Sequence, residues 1–278
     1  MKYMALFSMV LLSLTLSCSK GLWEQRSECP SAFVMDFSGV SEDVESLDLW
    51  IVNSESGEVL HCGRVVPYNY SNPMKLQLKR GLYSWYLWGG VGKATEVVSQ
   101  HTEPVALKKR ENLSADSLWF AKGSVDARGE ETIVESAVLA KEFINCKFRL
   151  RGGLLAGETL QLICYGTTVG YSMEGALMGG VSHTLVEGLQ GSDGICETEF
   201  RLMRQSAYKG LKLTLLISKP QGNPATLAEI KLGEILKEIG YDMMGELRDI
   251  DFTVDASLGL LTINVKDWNQ TYDVNIEF

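Results

Sequence analysis

The stretch LWGGVGKAT, Leu87 to Thr95, carries the residue types of a phosphate-binding loop. Such a loop needs Gly, four residues, then Gly-Lys-Ser/Thr, so that backbone N–H groups cradle the phosphates while the lysine and the hydroxyl complete the site. Here Gly92-Lys93 is followed by Ala94, and Leu87 stands where the first glycine is required. The dinucleotide pattern breaks as well, because Gly90-Val91-Gly92 runs on as Lys93-Ala94-Thr95 with no third glycine. What precedes the glycines is LYSWYLW, with Leu82, Ser84, Tyr86 and Trp88 on one face and Tyr83, Trp85 and Leu87 on the other. That alternation reads as a strand, and the glycines read as the turn that ends it.

Hydrolytic chemistry has little to draw on. A triad needs Ser or Cys beside a histidine held by a carboxylate, and the three histidines are His61, His101 and His183. His61 adjoins Cys62 in a strand-like run, where neighbours point to opposite faces. No HExxH or GxSxG occurs, which closes those two routes. The clusters EDVE and GEE read as solvated turns, and DARGEE lacks the alternating oxygen ligands of a calcium loop. Spacing leaves open a carboxylate pair that meets only in space. The expectation is a protein without a catalytic site, cofactor or metal.

The cysteine with a defined chemistry is Cys18. MKYMALFSMVLLSLTLSC places a positive charge at Lys2, an apolar run from Met4 to Leu16 and a small Ser17 before the cysteine. This is the layout of a secretory signal peptide, and the run is too short for a membrane span of about 20 apolar residues. Cleavage after residue 17 and acylation of Cys18 would make a lipoprotein, with several acyl chains giving stable attachment. Thr15 occupies the place where leucine is usual in the processing motif. Cys29, Cys62, Cys146, Cys164 and Cys196 remain, without the close pairs of a structural zinc site. Cys146 and Cys164 fall on inward strand positions and read as buried free thiols. Cys29 and Cys62 are a possible disulfide in an oxidising compartment.

Removing residues 1–17 takes away Lys2 and leaves 25 basic against 35 acidic residues, a net charge of −10. Such an acidic chain without a basic cluster is a poor partner for nucleic acid. Its length and 45% apolar content suit one large or two ordinary domains with real cores.

The elements that must carry these residues are strands. AFVMDFS, SLDLWIV, EVLHCGRVV, MKLQLK and LYSWYLWG follow one another with turn residues between, and SLWFAKG and TIVESAVLA come later. Residues 96 to 131 otherwise read as polar connection. FINCKFRLRGG alternates most cleanly, with Ile144, Cys146, Phe148 and Leu150 facing one way. A second set of strands begins there, so a second domain is placed near residue 141. ETLQLIC, TTVGYSM, CETEFRLM, LKLTLLIS, DIDFTV, LLTINV and YDVNIEF complete it, while residues 173 to 195 read as a glycine-rich loop. Leu232, Ile235, Leu236 and Ile239 have helical spacing, with Gly240 placed to cap the helix. The last strand is expected to complete its own sandwich. Consecutive short strands make the chain all-β, a pair of antiparallel β-sandwich domains with one short helix in the second. The divisions are a signal peptide over 1–17, a lipidated tether over 18–30, and sandwiches over 31–140 and 141–278. If strand aromatics such as Tyr83 and Trp85 were exposed, they would stack on sugar rings, and a surface glycan-binding lipoprotein is the alternative reading.

Several short motifs together resemble the FimB-type family of Bacteroidales fimbrial anchor and accessory lipoproteins. They are the lipoprotein signal, Cys29-Pro30, AFVMDFS, LDLWIV, LKRGLYSWYLWGG from Leu78 to Gly90, CKFRLRG, and INVKDW from Ile263 to Trp268. Residues 165 to 210 have no counterpart in that pattern. The resemblance implies two transthyretin-like β-sandwiches on an outer-membrane lipid anchor at Cys18. It also implies a fimbrial stalk or minor subunit as partner, joined by strand donation. Basal anchor, accessory and tip subunit stay open.

Overall fold

The computed structural model describes residues 30–100, 103–129, 132–190, 194–221, 223–268 and 270–276. Cys18, Cys29, His101 and Phe278 lie outside the described residues, as does the whole signal segment. The alternating segments fold as strands because each must turn one row of side chains out of water. In the first half these are β1 (Ser31–Asp36), β2 (Leu47–Asn53), β3 (Val59–Val65), β4 (Met74–Leu78), β5 (Leu82–Gly89), β6 (Thr95–Gln100), β7 (Glu103–Lys109), β8 (Trp119–Asp126), β9 (Ile133–Ser136) and β10 (Ala140–Lys141). The second half holds β11 (Phe143–Arg151), β12 (Thr159–Ser172), β13 (Leu177–Leu189), β14 (Ile195–Met203), β15 (Lys212–Ser218) and β16 (Ala225–Ile230). Helix α1 (Leu232–Glu238) follows, then β17 (Ile250–Asp255), β18 (Leu260–Val265) and β19 (Thr271–Asn275).

The fold is all-β, two sandwiches with a short helix in the second. In the first sandwich a three-stranded sheet, β4-β1-β9, faces a five-stranded sheet, β10-β8-β5-β2-β3. Phe33, Met35, Leu47, Leu49, Trp85 and Leu87 fill the space between them. The second sandwich pairs β14-β11-β17-β18-β19 with β16-β15-β12-β7-β6, and β13 adds to β12. Its core takes Ile144, Cys146, Phe148 and Leu150 from β11, the four inward positions expected of that strand, against Leu162 and Leu213. Helix α1 buries Leu232 and Leu236 on this core. The backbone turns left-handed at Gly240 (φ 76°) just beyond the helix, where glycine carries no steric cost. Ladders are antiparallel except β1–β9 and β11–β17, which are parallel.

Three strands lie where the sequence reading placed none, β6, β7 and β16, and a fourth, β13, replaces the loop expected over 173 to 195. The β6–β7 hairpin is inserted between β5 and β8, yet it pairs with β12 through Lys108↔Gly170, Leu107↔Tyr171 and Ala106↔Ser172. Chain from both sides of residue 141 therefore builds the second sandwich. Where the two sandwiches meet, Trp88, Leu107, Leu118, Tyr171 and Met203 form a separate buried cluster. Trp88 lies 4.6 Å from Phe120 and 4.9 Å from Tyr171, ring centre to ring centre. Aromatic pairs of this kind are worth about 0.5–1.5 kcal/mol beyond their burial.

Candidate functional site

The glycine turn after β5 is closed by the protein itself. Gly90 adopts φ 72° and donates its N–H to the Ser46 carbonyl. The backbone N–H groups of Gly92 and Ala94 donate to the Asp116 carboxylate at 3.1 and 3.3 Å. An internal carboxylate thus takes the place a phosphate would have occupied. His61 stacks on Trp50 at 4.8 Å and lies 3.4 Å from Asp48, whose carboxylate also receives the Arg64 guanidinium at 2.8 Å. These groups border a cleft of about 520 Å³ with Val97 and Val105, and the Arg64 and Asp48 charges are spent on one another. His183 faces Glu111 at 3.4 Å. Among the described residues no group of three or more His, Cys, Asp or Glu side chains is arranged to hold a metal.

Tyr83 and Trp85 of β5 pack in the first core and Trp88 in the seam, so this central strand buries aromatic rings on both faces, while Tyr86 is half-buried. Cys146, Cys164 and Cys196 are buried free thiols, and Cys62 is half-buried. Burial pushes the Cys164 thiol up to about 12 and the Cys62 thiol up to about 11.

What remains open is backbone. The terminal strand β19 pairs with β18 from Asn275↔Leu260 to Thr271↔Asn264, so it is docked on its own sandwich. Its other edge borders a groove of about 580 Å³ against α1, lined by Ile235, Ile239, Tyr272 and Val274. A second open edge lies on β8. One side of this strand is matched to β5 along its full length, from Asp126↔Leu82 to Trp119↔Gly89. The other side meets only β10, through Lys141↔Trp119 and Ala140↔Phe120. Residues 121–126 have no strand beside them on that side among the described residues. A cleft of about 420 Å³ lined by Val40, Val44, Trp119, Val138 and Leu139 opens next to β10 at the head of this edge. Unpaired strand edges are the surfaces to which another chain adds. The sequence pattern marks β8 as a strand, but whether its second side is paired is a property of the sheet order, which the pattern does not carry.

No family model matches the sequence, and no curated protein matches it. Solved structures do match. The fimbrial anchor protein Mfa2 from Porphyromonas gingivalis superposes over 86% of this chain and 98% of its own, with a TM-score of 0.57 at 14% identity. The chain has the fold of that fimbrial anchor. A candidate polysaccharide-binding protein from Bacteroides thetaiotaomicron matches over 89% of this chain and 98% of its own, with a TM-score of 0.61 at 15% identity. A candidate adhesin from Bacteroides ovatus matches over 88% and 96%, with a TM-score of 0.61 at 16% identity. The likeness runs over most of the chain and so takes in both sandwiches.

Proposed function

We propose that this chain is an outer-membrane lipoprotein, acylated at Cys18 and exposed at the cell surface, that anchors a fimbria or serves as its accessory subunit. A fimbrial stalk or minor subunit binds it by strand complementation. The observation that carries this reading is the correspondence of both sandwiches to an anchor fold. The open edges on β8 and β19 supply the means, since a sheet that ends in unpaired N–H and C=O groups gains a ladder from an incoming extended segment.

The tether reading fits the entry of the chain. Pro30 leads into β1 at Ser31, whose hydroxyl donates to the carbonyls of Ala127 and Gly129, just past the end of β8. That is the end of the first sandwich away from β10 and the second sandwich. A chain held by Cys18 would therefore present the second sandwich outward. A Cys29–Cys62 disulfide would fasten the tether to β3, and peptide masses measured without reductant would reveal it.

Cys18→Ala tests the reading: protein and fibres should appear in the medium instead of on the cell. Fibres that stay cell-bound would overturn it. The glycan-binding alternative draws no support from Tyr83, Trp85 and Trp88 of β5, which are buried.

A further inference from the structure

The open side of β8 has a second peculiarity on its inner face. Ala121 and Val125 are buried while Lys122, Ser124 and Asp126 are exposed, so Gly123 belongs to the inward row. Gly123 is in register with Trp85 of β5. The indole lies across it: a Cβ on Gly123 would come within 2.6 Å of Cε2 and Cζ2 and 2.7 Å of Nε1. Glycine is required here because the ring extends over β8 toward its open side. Trp85 is only 4% exposed, and its Nε1 has no acceptor among the described residues. Trp88, three residues along the same strand, donates to the Met173 carbonyl at 2.9 Å. Buried donors are almost always matched, so an orphan next to an unfilled strand position points to what fills it.

We infer that the open side of β8, residues 121–126, receives an extended segment of a second polypeptide, and that Trp85 selects for a side-chain oxygen at the position facing Gly123. This rests on the strand-complementation reading and gives it an address. In an antiparallel strand, alternate residues turn N–H and C=O away from their partner, so β8 offers backbone pairs to a new neighbour along this length. β10 already occupies the head of that neighbouring position, and the incoming segment continues its line. Inward residues of the segment lie beside Ala121 and Val125 and are apolar. The one between them is Ser, Thr, Asn or Gln, which accepts from the indole.

The chain's own tether is the competing occupant, since it ends at Pro30 close to Ala127. Its sequence argues against it. Leu22, Glu24, Arg26 and Glu28 would form one row and Trp23, Gln25, Ser27 and Cys29 the other. The first row sets charges between the sheets, where burial of an unpaired charge is costly, and the second sets two polar side chains, Gln25 and Ser27, at successive inward positions, where the segment needs one flanked by apolar residues.

The test uses the acylated full-length protein drawn from its membrane with the fimbrial subunit it carries. Hydrogen exchange is compared with and without the subunit. Within residues 121–126, the amides that point away from β5 should gain protection on binding, and Trp85→Phe, which keeps a ring but removes the donor, should weaken capture about tenfold, the equivalent of one buried hydrogen bond. An unchanged melting temperature of free Trp85→Phe protein shows that the loss is not one of folding. Subunit captured with protection on β19 instead of β8 overturns the inference and leaves the anchor reading standing. Those outward amides already protected in the free protein, or full affinity in Trp85→Phe, also overturn it. No fimbrial subunit captured at all removes the anchor reading itself.

Discussion

Trp88 of β5 and Met173 at the end of β12 are joined by a hydrogen bond from the indole Nε1 to the main-chain carbonyl, 2.9 Å long and buried. One residue belongs to the first sandwich and the other to the second, so this bond fixes the two modules to each other. Trp88→Phe keeps an aromatic ring beside Phe120 and Tyr171 but leaves the Met173 carbonyl without its donor. An unsatisfied buried polar group costs about 1–3 kcal/mol. The midpoint of urea unfolding should fall accordingly, and an unchanged midpoint would show that the seam contributes nothing to stability.

An ionic pair braces the start of the second sandwich. Arg204 donates to the Glu142 carboxylate at 2.7 Å and to the carbonyls of Met243 and Gly245 at 3.0 and 2.8 Å. Both charged side chains are nearly enclosed, at 11% and 13% exposure. Such a pair adds little over an apolar replacement of both members, but removing one strands the other. Arg204→Met should therefore destabilise by about 3–5 kcal/mol, and Arg204→Met combined with Glu142→Leu should recover part of it. A double variant no better than the single one would contradict this account.

The sequence makes the strands that stand on their own alternation legible and hides those that depend on a neighbour. β11 is readable because its inward row is apolar and its outward row charged, independent of what lies beside it. β13 is not, since Gly179 and Gly180 dilute its pattern and its ladder with β12 is interrupted by register shifts. β7 is hidden for a related reason: Glu-Pro-Val-Ala-Leu-Lys-Lys is short and polar at both ends, and only pairing with β12 makes it a strand. TTVGYSM was expected as a strand of its own, whereas it is the far half of β12, which turns from β15 to β7 along its length. Of the candidate sites, burial of Cys146 and Cys164 follows from strand parity. The open side of β8 does not, because residue pattern specifies which face is wet and is silent about which edge is paired.

Acid should act through Asp249. Burial raises its carboxyl pKa, but hydrogen bonds from Lys141 and from the Asn145 backbone and side chain outweigh that and hold it below the ordinary carboxylate range. A depressed folded value gives stability that is fully present above the unfolded value of about 3.9 and is lost as pH falls through the folded one. Asp249→Asn should be less stable than the parent at neutral pH, by about 1–3 kcal/mol. It should also lose less on acidification below about pH 4, so the two stability curves converge. Parallel curves would remove Asp249 from the acid response.

Thiol reactivity gives an independent reading of the cores. Burial drives the Cys146 thiol well above its ordinary value and takes Cys164 to about 12, and both sit between the sheets of the second sandwich. A raised thiol pKa leaves almost no thiolate, the reactive form, at pH 8. Iodoacetamide should label these two at least about a hundredfold more slowly in native protein than in denaturant, because reaction waits for opening of the core. Rapid native labelling of either, read by peptide mass, would show that the second sandwich is not closed around them.

The position of the β6–β7 hairpin depends on one glycine. Gly170 pairs with Lys108 of β7, and a Cβ there would lie 2.2 Å from the Leu107 carbonyl oxygen and 3.0 Å from the Lys108 Cα. These are backbone atoms, which cannot swing aside as a side-chain tip can. Gly170→Ala must therefore push β7 off the edge of β12 or distort both strands. Overpacking of this kind costs about 1–3 kcal/mol, and the loss should be local: amides of β7 should exchange faster while those of β11 and β14, in the opposite sheet, keep their protection. Gly179→Ala serves as the control, since only the Ser206 hydroxyl oxygen comes near its Cβ, at 3.7 Å. If Gly170→Ala leaves exchange in β7 as slow as in the parent, close backbone approach is not what holds the hairpin on the second sandwich.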